Sequence, residues 1–391
     1  MKSATSSCSP WLPARDAAAS RPIVTTKKIH AVIDARTIRA KRTGIGNGVL
    51  RQLLGLERML AAGEHANFTI TAIRFAPDLP DAEFLHRWDE FHHIRMVDTD
   101  ADHTAHPAGD WWQQRTLPAL LDAMGADVLF SPAFIGPARG RFRKLLMIHD
   151  DLIWSQPSSY PAKFRAYMDA MIRRSARAAD RILYPSQDAR QRCDALLNSS
   201  PEKSTVLHHG IDAAQFTAAP LSAREKFIVC IASGERRKNH EVLIRAMANQ
   251  RDLKLVFIGV EGEQRLAEFR ALVQNQEVEF IPSANESAIR DHLRRAAALA
   301  LPTRGEGFGL PVLEAMACGT PVILSDIPVM HEVAADAATY VDPDDVMAWK
   351  ETIFATSSVS PDVQARVTIG LKRTSQFTLE ENARKLLQSF S

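Results

Sequence analysis

The chain has 391 residues, 46% of them hydrophobic and 24% charged, with a formal net charge of +2. That length exceeds one ordinary hydrophobic core and implies two domains. The small charge excludes a protein built mainly to neutralise nucleic-acid phosphates, and no apolar run reaches the roughly eighteen residues that a membrane span needs.

Residues 1–27 lack the apolar segment of a secretory signal and read as a flexible tail. The four cysteines, Cys8, Cys193, Cys230 and Cys318, are widely spaced, with no CxxC pair, which fits a reducing cytoplasm better than a disulfide framework or a zinc site. After the tail, "HAVIDAR" reads as a strand, and "TGIGNGVLRQLLGLERMLAAG" turns on glycines and continues as an amphipathic helix. "FTITAIRF", "ADVLFSP", "KLLMIHD", "RILYPS" and "STVLHHG" are further strands. From residue 227 the rhythm restarts with "FIVCIAS", "LKLVFIGV", "VEFIPS", "AALALPT", "PVILSD" and "ATYVDP", separated by helical stretches such as "NHEVLIRAMAN" and "ESAIRDHLRRAA". Strands alternating with helices predict parallel sheets covered on both faces, hence an α/β protein of two Rossmann-like domains with a linker near 212–226. The expected division is residues 28–218, 219–372 and a terminal segment 373–391.

Open parallel sheets bind ligands at the carboxyl ends of their strands. Gly44 and Gly46, His149, Arg237 and Lys238, and Glu306 all fall at such ends. In "PTRGEGFGLPVLEAMACGTPVILSD" (302–326), Pro311 suits the first position of a helix and Gly319 the position just past its end. The helix then spans roughly 311–318, with Gly307, Phe308 and Gly309 at its positive end, where backbone N–H groups favour a phosphate. Glu314, expected in the first turn, could accept from vicinal hydroxyls, and Glu306 from a sugar beyond the phosphates; a dipole-complementing glutamate and a solvated one are the plainer alternatives. In "ASGERRKNHEVLIRAM", Asn239 suits a helix cap and Arg237 and Lys238 a diphosphate, against the alternative of a solvated charge run. His149 and Asp150 end a strand, where a histidine contacts a hydroxyl or moves a proton. His208 and His209 are adjacent, so on a strand they point to opposite faces and make no metal pair. "PAKFRAYMDAMIRRSARAADR" lines Phe164, Tyr167, Met168, Met171 and Ile172 along one helical face beside Lys163, Arg165, Arg173, Arg174 and Arg177; it reads either as a surface for anionic lipid or as a core helix with a basic edge.

In this order the pieces resemble the retaining glycosyltransferases of family 4 (glycosyl transferases group 1). The resemblance runs from residue 29 to the end and is strongest over "EGFGLPVLEAMACGTPVILSD" and "EVAADAATYVDPDD", with "RTGIG", "IHDDLIWSQPSSYP", "ADRILYPSQDAR", "HGID" and "RRKNHEVLIRAM" in support. It implies the GT-B fold, two Rossmann-like domains facing across a cleft, with the first binding acceptor, the second binding donor, and "SQFTLEENARKLLQSF" crossing back as a terminal helix. It also implies that Glu314 holds the nucleotide ribose, that Glu306 holds the transferred sugar, and that Gly307, Phe308, Gly309 and Leu310 line the donor pocket. Lys238, with Arg237, would bind the diphosphate, Gly44 and Gly46 would approach it from the first domain, and His149 would contact the sugar. Where many members carry asparagine before the glycine of "HHGID", this chain has His209; Arg236 replaces a common proline, and Ala232-Ser233 replaces glycine-containing pairs.

The activity implied by this resemblance is transfer of a sugar from a nucleoside diphosphate sugar to a hydroxyl of a glycan or lipid-linked glycan, with no protein nucleophile, no cofactor and no essential metal. GDP-mannose and bacterial surface polysaccharide (lipopolysaccharide O-antigen or exopolysaccharide) are the first expectations, in the cytoplasm or peripherally on the inner face of the membrane, with no nucleic-acid partner. A nucleotide-sugar epimerase of the same fold and a non-catalytic nucleotide-sugar-binding protein are the alternatives.

Overall fold

The computed structural model describes residues 28–40, 43–78 and 90–391, so the predicted tail lies outside the described residues. Two parallel sheets organise the chain. The first contains β1 (Ile29–Asp34), β2 (Phe68–Phe75), β3 (Ile94–Thr99), β4 (Val128–Ser131), β5 (Arg143–Met147), β6 (Arg181–Tyr184) and β7 (Ser204–Val206), ordered β3-β2-β1-β4-β5-β6-β7. The second contains β8 (Glu225–Ile231), β9 (Lys254–Ile258), β10 (Val278–Ile281), β11 (Ala296–Leu301), β12 (Val322–Ser325) and β13 (Ala338–Val341), ordered β10-β9-β8-β11-β12-β13. Each is a doubly wound sheet whose strand order reverses once, between β1 and β4 and between β8 and β11. Crevices open at those reversals, so topology alone brings the segments after β1, β4, β8 and β11 to ligand-binding positions.

Central strands are continuous aliphatic runs because both faces are covered. Ala31, Val32 and Ile33 of β1 are buried, as is all of β11. The edge strand β3 was not legible in the sequence. Its "IRMVDT" mixes buried Ile94 and half-buried Met96 and Val97 with exposed Arg95 and Asp98, neither a continuous apolar run nor a clean alternation, at the edge of the sheet where it pairs on one side only.

The helix Gly44–Ala61 begins where the Thr43 side chain accepts from the Gly46 N–H at 3.0 Å. Its apolar face, including Leu50, Leu53 and Leu54, faces the first core. The last helix, Leu379–Phe390, carries Leu379, Ala383, Leu386, Leu387 and Phe390 into that same core, confirming the return crossing. Each of the larger side chains, fully buried, contributes about 1.5–3 kcal/mol. Gly55 permits this packing, since a Cβ there would collide with the Leu379 carbonyl.

The basic helix Ala162–Ala178 resolves as a core helix. Phe164, Met168, Met171 and Ile172 pack with Ile135, Leu146 and Ile148, and the Tyr167 hydroxyl donates to Asp110 at 2.6 Å. Its apolar face is thus already filled from within the protein. Among the described residues, no helix is long and apolar enough to cross a membrane.

Candidate active site

Glu306 follows β11, and Arg237 and Lys238 follow β8, the two strands flanking the second reversal. Lys238 Nζ lies 2.5 Å from Glu306 Oε1, and Arg237 Nη1 lies 3.2 Å from Oε2. Arg237 also donates to the Gly305 carbonyl at 2.8 Å and pairs through Nε with Glu235 at 2.8 Å. Burial alone would raise the Glu306 carboxyl, but Lys238 and Arg237 hold it below its ordinary range. Two cations thus share one buried carboxylate, with Glu235 as a second partner of Arg237, so Lys238 and Arg237 meet an anion only by exchanging these carboxylates for it.

The glycine loop sits beside this triad. Gly309 adopts φ +106°, a conformation that favours glycine, and precedes the helix Leu310–Ala317, whose N-terminus no side chain caps. Pro311 lies in its first turn as expected. Glu314 does not: with the helix starting at Leu310, it occupies the second turn. Phe308 and Leu310 point into the second core, so what they can offer a ligand is backbone. Asn239 also departs from expectation. Its φ is +54°, and its side chain donates to the Pro343 carbonyl at 2.6 Å instead of capping the next helix.

The first domain closes over the loop. Gly307 lies so near the His149 carbonyl that a Cβ there would overlap it. The Ser186 hydroxyl donates to the Gly307 carbonyl at 2.7 Å, and Arg192 Nη2 to the Glu306 carbonyl at 2.9 Å, while Arg192 itself pairs with Asp151 and Asp188. Glu332 of the second domain accepts from the Gln187 N–H at 2.7 Å, the Asp188 N–H at 3.1 Å and His208 Nε2 at 2.9 Å, capping the helix Gln187–Leu197 across the cleft.

His149 is buried, and its Nε2 is 2.6 Å from the Pro132 carbonyl. A carbonyl only accepts, so Nε2 carries the proton and Nδ1 is the nitrogen left for a ligand. Burial lowers its pKa to about 4 against the opposing Pro132 bond, so the ring is neutral at pH 7. It stacks on His209 with centroids 5.8 Å apart, and His209 meets the Phe308 ring edge-on at 5.3 Å. Gly48 leaves room for His209, whose ring would be 2.7 Å from a Cβ at that position. Asp150, next in sequence, has its carboxyl pushed up from 3.8 to about 6, chiefly by burial, with Glu306 adding to the shift and Arg237 opposing it.

The structure therefore gathers Lys238, Arg237, Glu306, Gly307, Phe308, Gly309 and His149 on the two sides of one cleft. Gly46 approaches backbone of its own domain: a Cβ there would be 2.6 Å from the Thr37 carbonyl. A Cβ on Gly44 would meet no described atom within 4 Å. Glu314 is held by a residue that the sequence did not single out. Arg51 Nη2 of the first helix lies 2.5 Å from Glu314 Oε1 and 3.6 Å from Glu286 Oε1, all three buried, and Arg51 Nη1 has no partner among the described residues. Arg192 and Ser186 were missed too, because what they hold across the cleft are backbone atoms of a distant loop.

Two family models match consecutive parts of the chain: "Glycosyltransferase Family 4" over residues 46–215 and "Glycosyl transferases group 1" over residues 213–357. An O-antigen chain mannosyltransferase of Salmonella typhimurium is 26% identical over 214 residues, covering 53% of this chain and 59% of the relative. A D-inositol 3-phosphate glycosyltransferase of Mycobacterium is 28% identical over 209 residues, covering 49% of this chain and 48% of the relative. The chain thus spans about half to three fifths of the length of these curated relatives. An Anabaena protein crystallised with UDP-glucose superposes with a TM-score of 0.69 at 14% identity, over 92% of this chain and 98% of that one.

Proposed function

Because the chain belongs to glycosyltransferase family 4 and has the GT-B fold, we propose that it moves a sugar from a nucleoside diphosphate donor to a hydroxyl of a glycan or lipid-linked glycan, with retention at the anomeric carbon. The observation that carries this reading is the meeting of Lys238, Arg237 and Glu306 beside the Gly307–Gly309 loop and an uncapped helix N-terminus.

The difficult step is departure of the diphosphate from a carbon that becomes oxocarbenium-like. Lys238, Arg237 and the loop amides counter the charge growing on the leaving phosphate. Glu306 accepts from sugar hydroxyls once the cations turn to the phosphates, and neutral His149 offers Nδ1 to the sugar from the opposite wall. Front-face attack by the acceptor needs no protein nucleophile, and none is assigned. Closure of the lobes excludes water that would otherwise hydrolyse the donor.

GDP-mannose is the first donor to test, with assembly of O-antigen or another bacterial surface polysaccharide in the cytoplasm as the setting. The Salmonella relative supports this choice; the inositol-phosphate relative and the UDP-glucose complex name other chemistries and keep the screen broad. A thermal-shift screen of GDP-, UDP-, dTDP- and ADP-sugars finds the donor, since a bound ligand raises stability. With that donor, Glu306→Gln and Lys238→Ala should each lower kcat by about 10²–10³. Near wild-type turnover in both rejects the assignment. Isomerised donor formed without acceptor would point instead to an epimerase.

A further inference from the structure

A cavity of about 180 Å³ opens in the first domain at the carboxyl ends of β1 and β4. It shares Ile45 with the glycine turn and Pro132 with the hydrogen bond that holds His149, so it adjoins the donor groups. We infer that this cavity takes the acceptor as an uncharged, polyhydroxylated ring and rejects a phosphorylated one. The inference rests on the transfer reaction proposed above and adds the acceptor's chemical class.

Among the described residues, the cations lining the cavity are already spoken for by carboxylates. Arg36, 1% exposed, forms a two-pronged pair with Asp34, Nε to Oδ1 and Nη2 to Oδ2, both at 2.7 Å. Gln113 Nε2 also donates to Asp34 at 3.0 Å, and the Arg36 guanidinium lies 4.5 Å over the Trp112 ring. Across the cavity, Asp110 binds His106 Nδ1 at 2.5 Å and the Tyr167 hydroxyl at 2.6 Å. The third basic group among the described lining residues, His103, is neutral at pH 7, with burial lowering its pKa to about 4. A phosphate entering here would compete with Asp34 for Arg36 and would face Asp110 at close range.

Neutral hydrogen-bonding capacity, by contrast, is spare. Thr37 Oγ1, on a residue 5% exposed, and His103 Nδ1 are both buried without a partner among the described residues, and both residues line the cavity. Buried polar atoms ordinarily find partners, so these two mark where ligand hydroxyls complete the set. Phe134, held at φ +59°, a region that bulky residues avoid, adds its side chain to the wall beside His149. An apolar ring among convergent polar groups suits a saccharide, whose C–H faces and hydroxyl edges differ in the same way.

Saturation-transfer NMR on the full chain tests this without any donor, using methyl glycosides of glucose, galactose and mannose and their 6-phosphates as probes. At least one neutral glycoside should bind, and its 6-phosphate about tenfold or more weaker. Thr37→Val, near in shape and removing only an unpartnered hydroxyl, should weaken the neutral glycoside about three- to tenfold. Absence of neutral binding, phosphate binding that equals or exceeds it, or an unchanged affinity in Thr37→Val overturns the inference. The nucleotide-sugar thermal shift reads the donor groups separately, so failure of either reading is visible apart from the other.

Discussion

Arg51 and Glu314 stand 263 residues apart in the chain and 2.5 Å apart in space, joining the first helix to the second domain's glycine-led helix. Burial disfavours the Arg51 charge, but Glu314 and Glu286 outweigh it and raise its pKa. The carboxylate expected to receive ribose hydroxyls is therefore already engaged by the opposite lobe. Arg51→Met leaves two buried carboxylates facing each other without their cation and should cost about 3–5 kcal/mol in urea unfolding. The double variant Arg51→Met/Glu314→Gln should recover part of that loss. Full additivity of the two single changes would contradict the coupling.

Gly307 is a point of tight backbone contact between the lobes. In Gly307→Ala the new methyl meets the His149 carbonyl, so the lobes must separate. The radius of gyration by small-angle scattering should rise, and transfer should fall by about 10²-fold, as expected when reacting groups are displaced by an ångström. An unchanged scattering curve with full activity would show that the contact carries no constraint.

Asp150 predicts a pH effect with a defined sign. Its folded pKa is raised from 3.8 to about 6, so between those values the native state holds a proton that the unfolded chain has lost. Stability from this group is therefore greatest below about pH 4 and is lost as pH rises towards 6. Asp150→Asn keeps the oxygen that accepts from the Leu152 N–H and removes the titration. It should stabilise the protein at pH 8 and do little at pH 3.5, read as urea midpoints. Equal effects at both pH values would refute the assignment.

Metal removal supplies a further test. With Lys238 and Arg237 meeting the diphosphate, we propose that transfer persists after dialysis against EDTA, within about twofold of the untreated rate. A loss restored by Mg²⁺ or Mn²⁺ would mean that a cation shares this work.

Much of the fold could be read locally. Aliphatic runs broken by glycines and caps marked twelve of the thirteen strands among the described residues, because a buried parallel strand needs an apolar residue at nearly every position. The edge strand β3 escaped, since its mixed burial leaves polar Arg95 and Asp98 inside a short apolar stretch. Lys238, Arg237, Glu306 and the Gly307–Gly309 loop were legible for a similar reason: each lies at a strand end or helix start, where chain order already implies a ligand-facing position. The apolar face of Ala162–Ala178 remained ambiguous until packing showed it filled.

The sequence by itself determined that two doubly wound domains form and which loops face the cleft, because backbone periodicity and turn chemistry act over a few residues. Only the tertiary structure decided which charges pair across that cleft. Arg51 with Glu314, Arg192 with the Glu306 carbonyl, and Glu332 with the amides of Gln187 and Asp188 join segments more than a hundred residues apart. No local pattern encodes such meetings; they depend on how two finished cores dock, and burial there makes each pairing consequential.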